Sequence, residues 1–177
     1  MTNSKEFSPI TIVAAVTRKG GLGHAGELLY RISADMKHFK ALTMGHPIVM
    51  GRKTYESFPG GPLPGRLNIV LTHSDIQLPE GAVAAHSPEE ALAIATAQGS
   101  GSVMVIGGGE IYRMFMPAAS TLVLTEIDAD SPADTDTWFP EIDSEQWALS
   151  EASEPAIDAR SGVGYRFATY VRLAAEE

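Results

Sequence analysis

The sequence predicts an α/β fold in which a largely parallel sheet is wound with crossover helices. Three observations predict it. Short, continuous apolar runs of strand length recur along the chain, as strands buried on both faces of a parallel sheet require. Stretches with helical spacing of apolar residues separate them. The C-terminal segment then changes pattern, with two strand-like runs joined by a polar loop.

Taken in order, ITIVAAV from Ile10 is the first strand. The loop after it, RKGGLGHAGELLYRI, carries Gly20, Gly21, Gly23 and Gly26, the composition of either a mobile lid or a slack connection. SADMKHFKALTMG predicts a helix with Ser33 as N-cap, Gly45 as stop and Met36, Phe39 and Leu42 as its apolar stripe. PIVMG is the next strand, and Arg52, Lys53 and Thr54 open a helix behind it. The letters approach a phosphate-binding P-loop, but His46 stands where that motif needs its first glycine. A proline-rigid turn and Arg66 lead into the strand LNIVL, which ends at Thr72 and His73. SPEEALAIATAQG is a helix with Ser87 as N-cap, Pro88 at the first helical position and Gly99 at its end. VMVIG then runs into Gly107, Gly108 and Gly109 and a helix stopped by Pro117. LVLTEI is a further strand, and WALSEAS with YRFATYVRL forms an antiparallel hairpin closing one edge.

Composition bounds the function. With 177 residues, 44% hydrophobic and 20% charged, the chain reads as one globular domain over 1–177, with 1–8 and 175–177 expected as disordered tails. The absence of cysteine excludes disulfides, thiolate metal sites and cysteine nucleophiles, and the five histidines lack ligand spacing, so no metal is expected. No apolar run has membrane-spanning length and the first residues lack a signal peptide's apolar centre, so a cytoplasmic protein without membrane attachment is expected. A net charge of −9 argues against nucleic acid. Against that background the cation islands at Arg18–Lys19, Lys37–Lys40 and Arg52–Lys53 suit small anionic ligands, or else are ordinary solvated charge.

Two features point to chemistry. Consecutive glycines between strand and helix serve either a sharp turn or a close approach of phosphate to bare backbone at a helix N-terminus. The dinucleotide fingerprint is half met, because its last position is Tyr112. Asp35 lies four residues before Phe39 and shares a helix face with Leu42, which directs a carboxylate along an apolar side. There it can bind a planar cationic or amidine-like edge through paired hydrogen bonds. Asp35, Arg52, Thr72, His73 and Gly107 all follow strands, so the carboxyl ends of the sheet could bring them round one cleft.

The segments ITIVAAVTRKGGLG, SADMKHFKALT, PIVMGRKTYES, PLPGRLNIVLT, VMVIGGGEIY, LVLTEIDA and DTWFP occur in the order and spacing of dihydrofolate reductase, and the resemblance covers Ile10 to Leu173. It implies a central eight-stranded, mostly parallel sheet with an antiparallel C-terminal edge strand and about four helices. It implies NADPH-dependent reduction of dihydrofolate by a protein expected to be a monomer. Asp35 would bind the pterin's 2-amino group and N3, supported by the Thr125 hydroxyl, with Val13, Ala14, Phe39, Phe58, Leu63 and Ile106 lining the ring sites and Arg66 pairing with the glutamate α-carboxylate. Gly107, Gly108 and Gly109 would lie beside the cofactor with Ile106, Ile111 and Tyr112. Ala15, Leu22 and Gly23 would border the nicotinamide. Gly51, Arg52, Lys53, Thr54, Leu71, Thr72 and His73 would meet the phosphates, Arg52 chiefly at the 2′-phosphate. Three departures stand out. Leu29-Tyr30 replaces a Pro-Trp pair, Tyr30 keeping a donor for a water near Asp35; Glu110 stands where some relatives place a cation; and FPGGPLPGR is a residue longer than in some members. The related pyrimidine reductase of riboflavin synthesis and a non-catalytic NADPH-binding protein are the alternatives, the first disfavoured by Asp35 with Phe39 and the second by retention of both Asp35 and the glycines.

Overall fold

The computed structural model describes residues 7–25 and 27–174; residues 1–6 and 175–177, most of the expected tails, lie outside the described residues, as does Gly26. Phe7 and Ser8, within the expected N-terminal tail, are docked: Phe7 packs on the core and the Ser8 N–H donates to Thr96 Oγ1 at 3.0 Å.

In chain order the elements are β1 (Ile10–Val16), β2 (Gly21–His24), β3 (Glu27–Leu28), α1 (Ser33–Thr43), β4 (Ile48–Gly51), α2 (Arg52–Glu56), β5 (Asn68–Leu71), β6 (Ala82–Ala85), α3 (Pro88–Ala97), β7 (Val103–Gly107), α4 (Gly109–Phe115), β8 (Thr121–Asp128), β9 (Thr137–Trp138), β10 (Trp147–Ala152), β11 (Ala156–Ile157) and β12 (Gly164–Arg172). The main sheet runs β10-β12-β8-β1-β7-β4-β5-β6, with β11 appended to β12. From β8 to β6 every pairing is parallel; β12 runs antiparallel to β8, and β10 antiparallel to β12. The expected hairpin thus closes one edge, with β10 outermost and the last strand one place inside it. The glycine-rich segment is neither slack nor bare loop: β2 pairs with β3 and β9 in a small second sheet.

Alternation along the buried strands makes two cores. Ile12, Ala14, Val16, Val49, Ile69, Val103, Val105, Leu122 and Leu124 face one side with Ala91, Leu92 and Ala95 of α3 and Ile111 and Phe115 of α4. Val13, Ile48, Met50, Val70 and Met104 face the other, covered by Phe39 and Leu42 of α1 and by Tyr55, Phe58 and Leu63.

The helix ends follow local chemistry. Ser87 caps α3, its Oγ accepting from the Glu90 N–H at 3.0 Å, while the Glu90 carboxylate accepts from the N–H of His86, one residue before the cap, at 2.9 Å. At α1 the sequence reading is corrected. Ile32, not Ser33, is the N-cap and offers no side-chain bond; the Ser33 N–H instead faces Asp158, a residue far along the chain whose pKa it helps to lower. Met36 also leaves the predicted stripe and is 65% exposed, because the buried face runs through Asp35, Phe39, Leu42 and Thr43.

Candidate active site

Asp35 is set by α1 against the sheet face that carries Val13. Thr125, buried on β8, donates its hydroxyl to Asp35 Oδ1 at 2.5 Å. Burial pushes the Asp35 carboxyl above its usual range; the Thr125 hydrogen bond and the charge of His38 oppose that rise in part.

Beside this pair the sheet opens. Pairing of β1 with β7 ends at Ile12 and Val105. Beyond that point the Tyr112 hydroxyl, from α4, lies between the strands and donates to Val13 O at 2.7 Å and Ile106 O at 2.8 Å. Burial and the nearby Asp35 charge raise its pKa, so it remains a protonated donor.

The three glycines have separate reasons. Gly107 has φ +120, and a Cβ there would sit 2.9 Å from the Tyr112 hydroxyl oxygen. A Cβ on Gly109 would sit 2.8 Å from Thr137 Cγ2, where α4 meets β9. For these two, internal packing suffices. A Cβ on Gly108 would meet nothing nearer than Thr54 Oγ1 at 3.7 Å, so this residue borders open space beside α2. The Gly107–Gly108 peptide is cis. Gly51 and Gly108 are the N-caps of α2 and α4, and neither helix has a side-chain cap, which leaves first-turn N–H groups for an anion.

β4 and β5 run side by side, Gly51 opposite Leu71, so Arg52, Lys53 and Thr54 follow one strand end and Thr72 and His73 the next. Arg52 Nε donates to Glu56 at 3.1 Å, and its other nitrogens carry no hydrogen bond to a described residue. The Thr72 carbonyl bonds His86 Nδ1 at 2.9 Å, which places a histidine at this rim that the sequence did not single out.

Val13, Phe39, Phe58, Leu63 and Ile106 belong to one apolar cluster around Met50 and Val70. Ala14 does not: its methyl packs in the opposite core, so only its main chain is available on this side. Arg66 lies at the far end. Its side chain is buried and donates from Nη1 to Thr43 Oγ1 at 3.1 Å and from Nε to Pro64 O at 2.9 Å, with no carboxylate partner among the described residues. Burial lowers its pKa. Asn68 fixes the turn that carries it, accepting from the Leu63 N–H and donating to the Leu63 and Arg66 carbonyls. Neither Thr43 nor Asn68 was legible as a site residue; each reads as an ordinary polar residue beside an element end.

On the lid side, Ala15 lies one residue before the end of β1, and Leu22 and Gly23 lie in β2. A Cβ on Gly23 would meet Glu27 O at 2.6 Å, so the β2–β3 turn requires glycine there. The turn is latched to the β9 strap: the Ala25 N–H donates to Asp136 Oδ2 at 2.9 Å and the Asp136 N–H to Gly23 O at 3.1 Å. Tyr30 departs from expectation. Its hydroxyl donates to Asp130 O at 3.0 Å, so the donor anticipated for a water near Asp35 is committed elsewhere. A half-open cavity of about 610 Å³ bordered by Leu124, Glu126 and Tyr165 lies across β8 from Thr125 and is separate from this site.

The family model described as dihydrofolate reductase matches residues 9–172. The chain is 43% identical over 168 residues to dihydrofolate reductase HdrB of Haloferax volcanii, covering 91% of this chain and 82% of that protein. It is 38% identical over 163 residues to the dihydrofolate reductase of Neisseria meningitidis serogroup A (92% and 98% covered), and 36% identical over 165 residues to that of Mycobacterium tuberculosis strain H37Rv (92% and 98%). Among solved structures, dihydrofolate reductase from Enterococcus faecalis complexed with NADP(H) and RAB-propyl superposes with a TM-score of 0.83 at 32% identity, covering 94% of this chain and 97% of that one.

Proposed function

The chain belongs to the dihydrofolate reductase family, and from that premise we propose that it reduces 7,8-dihydrofolate to tetrahydrofolate with NADPH. One observation carries the reading: among the described residues a single carboxylate, Asp35, is half-buried in an apolar cleft at the sheet's open end and oriented by Thr125.

Thr125 occupies one acceptor site on Asp35 Oδ1, and an ionised carboxylate has about four. The remainder can accept the 2-amino and N3 hydrogens of a pterin, a planar edge that matches a carboxylate's fork. Phe39, Phe58, Leu63, Val13 and Ile106 exclude water around the ring, which strengthens the field of the carboxylate at the atoms it touches. Asp35 thereby polarises the ring toward protonation at N5, with the proton taken from water. Arg66, pre-set by Thr43 and Pro64 and lacking a protein carboxylate, receives the α-carboxylate of the substrate's glutamate.

The donor set fits a dinucleotide phosphate. Gly108 is bare backbone beside Thr54, and the uncapped starts of α2 and α4 point free N–H groups at the same rim. Arg52, Lys53, Thr54, Thr72 and His73 would hold the cofactor's phosphates. Bound there, NADPH supplies a hydride for pterin C6. Ala15, Leu22 and Gly23 would shield that end of the cleft from water.

The test is loss of NADPH absorbance with purified protein, once with dihydrofolate and once with the ribosylated pyrimidine of riboflavin synthesis. Oxidation dependent on dihydrofolate alone is the expected result; oxidation only with the pyrimidine, or with neither, overturns the reading.

A further inference from the structure

His86 follows β6 at the rim where β5 ends, and it grips both ends of the segment that carries Thr72 and His73. Leu71 pairs with Ala85 in the sheet, and the Thr72 N–H still donates to Ala85 O at 3.0 Å. Beyond Leu71 the chain leaves β5, and side chains take over its guidance. The Thr72 carbonyl lies 2.9 Å from His86 Nδ1; a carbonyl only accepts, so the ring nitrogen carries a proton and donates it. At the far end of the segment Asp75 Oδ1 lies 3.5 Å from His86 Nε2. Between the two grips the Ser74 N–H donates to Thr72 Oγ1 at 3.2 Å, which leaves the Thr72 hydroxyl proton for an acceptor outside the segment. His86 is itself fixed, because its N–H donates at 2.9 Å to the carboxylate of Glu90 in the first turn of α3. A line of hydrogen bonds thus runs from the start of α3 through His86 to segment 72–75.

We infer that His86 is a positioning residue for cofactor choice: through the Thr72 carbonyl it holds segment 72–75 in the shape in which the Thr72 hydroxyl and His73 meet a 2′-phosphate. The inference rests on NADPH being the cofactor, as proposed above. The two grips differ in weight. The His86 and Asp75 side chains are 44% and 102% exposed, so water screens their pairing and it contributes little. The bond to Thr72 acts on the backbone: that carbonyl belongs to the peptide joining Thr72 to His73, and holding it sets the direction in which His73 leaves. Nδ1 keeps its proton both in the neutral ring that the Thr72 carbonyl selects and in the imidazolium, so the brace does not depend on the charge of His86.

The test is titration calorimetry of the whole protein with NADPH, NADH and adenosine 2′,5′-bisphosphate, with no folate present. His86→Ala should weaken NADPH and the bisphosphate by about 3- to 10-fold, the effect of one lost hydrogen bond, and NADH hardly at all. His86→Asn places an amide N–H close to where Nδ1 stood and should recover most of that loss. Asp75→Asn should weaken neither phosphorylated ligand, since the exposed pair contributes little. Unchanged affinities in His86→Ala, a loss shared equally by NADH and NADPH, no recovery in His86→Asn, or a loss in Asp75→Asn as large as in His86→Ala each overturns the proposal and leaves His86 as a surface residue that steadies a loop. Should wild type bind NADH as tightly as NADPH, the cofactor reading falls and takes this inference with it. If the affinities respond as expected but dihydrofolate is never turned over, the proposed function fails and the role of His86 stands.

Discussion

Gly107 and Tyr112 are shaped to each other: a Cβ on the glycine would lie 2.9 Å from the tyrosine hydroxyl oxygen, and that hydroxyl bridges Val13 O and Ile106 O where β1 and β7 part. The separation of the strands is what makes a cleft, yet it strands two carbonyls in the interior. Tyr112 meets both with one proton. The glycine lets the ring approach, so bare backbone here serves the protein before it serves any ligand.

Tyr112→Phe should therefore destabilise the fold by about 1–3 kcal/mol, the usual cost of leaving buried acceptors unmet. Gly107→Ala should cost at least as much, because it adds a left-handed backbone angle to the steric conflict. Urea denaturation checks both. A Tyr112→Phe midpoint equal to wild type would mean that water meets the carbonyls.

The central strands were legible because burial on both faces writes itself as unbroken apolar runs, and α3 because Ser87, Pro88 and Glu90 form a local cap. Elements stabilised by distant partners were not. β2, β3 and β9 are short, and β2 is anchored by pairing with β9 more than a hundred positions away, as with Gly21 and Trp138. The start of α1 was misplaced for the same reason, since no local side chain caps it and the carboxylate facing its first N–H, Asp158, lies far along the chain. In the site, Asp35 and Thr125 could be named through family resemblance. Thr43, Asn68 and His86 could not, because hydrogen bonds made by ordinary polar residues leave no pattern in the sequence.

Asp35 should cost the fold stability in return for its charge. A folded-state value raised above the ordinary 3.8 means that the native protein binds a proton more tightly than the unfolded chain. Stability should then fall as pH rises from the unfolded value through the raised folded one. Asp35→Asn retains an oxygen to accept from Thr125, so it should be more stable than wild type at neutral pH, with the gain shrinking toward acid. Its hydride transfer should drop by about 10²-fold or more at neutral pH and recover in part at low pH. Paired urea titrations and rate profiles over pH check both halves; a variant less stable than wild type at neutral pH contradicts the account of burial.

Arg66 should read the substrate's tail and not its ring. Arg66→Gln should weaken dihydrofolate binding by about 1.5–3 kcal/mol, as expected for a charge-assisted pair, while leaving affinity for a pterin without the glutamate unchanged. Thr43→Val should show the same pattern more weakly, because it frees Nη1 without removing the charge. Equal losses for both ligands by titration calorimetry would remove Arg66 from the tail site.

The lid latch should be acid-sensitive. Asp136 is held below the ordinary carboxylate range, first by the Ala25 N–H, then by Thr137. Its contribution is present above the unfolded value of 3.8 and is lost as pH falls through the lowered folded value, so at neutral pH it is fully engaged. Asp136→Ala should leave the global unfolding midpoint close to wild type but speed amide exchange at Ala25, whose N–H loses its acceptor. Unchanged protection at Ala25 would mean that the turn is closed by its strand pairing alone.

Arg52 should decide the choice between NADPH and NADH, and Glu56 should temper it. The chain carries a net charge of −9, which repels a phosphate dianion except where cations gather. Arg52 engages Glu56 through Nε alone, one helical turn away on an exposed face, where such a pair contributes only about 0.3–0.5 kcal/mol. A phosphate can therefore recruit the remaining nitrogens without breaking a strong bond. Arg52→Ala should weaken NADPH by about 1.5–3 kcal/mol and NADH hardly at all. Glu56→Gln should act oppositely, tightening NADPH by removing a carboxylate that competes for the guanidinium and repels the phosphate. In Arg52→Ala/Glu56→Gln the gain from Glu56→Gln should shrink, since much of it acts through Arg52. Titrating both cofactors against the four proteins of this cycle checks the argument, and a loss shared equally by NADH and NADPH in Arg52→Ala would show that Arg52 does not read the 2′-phosphate.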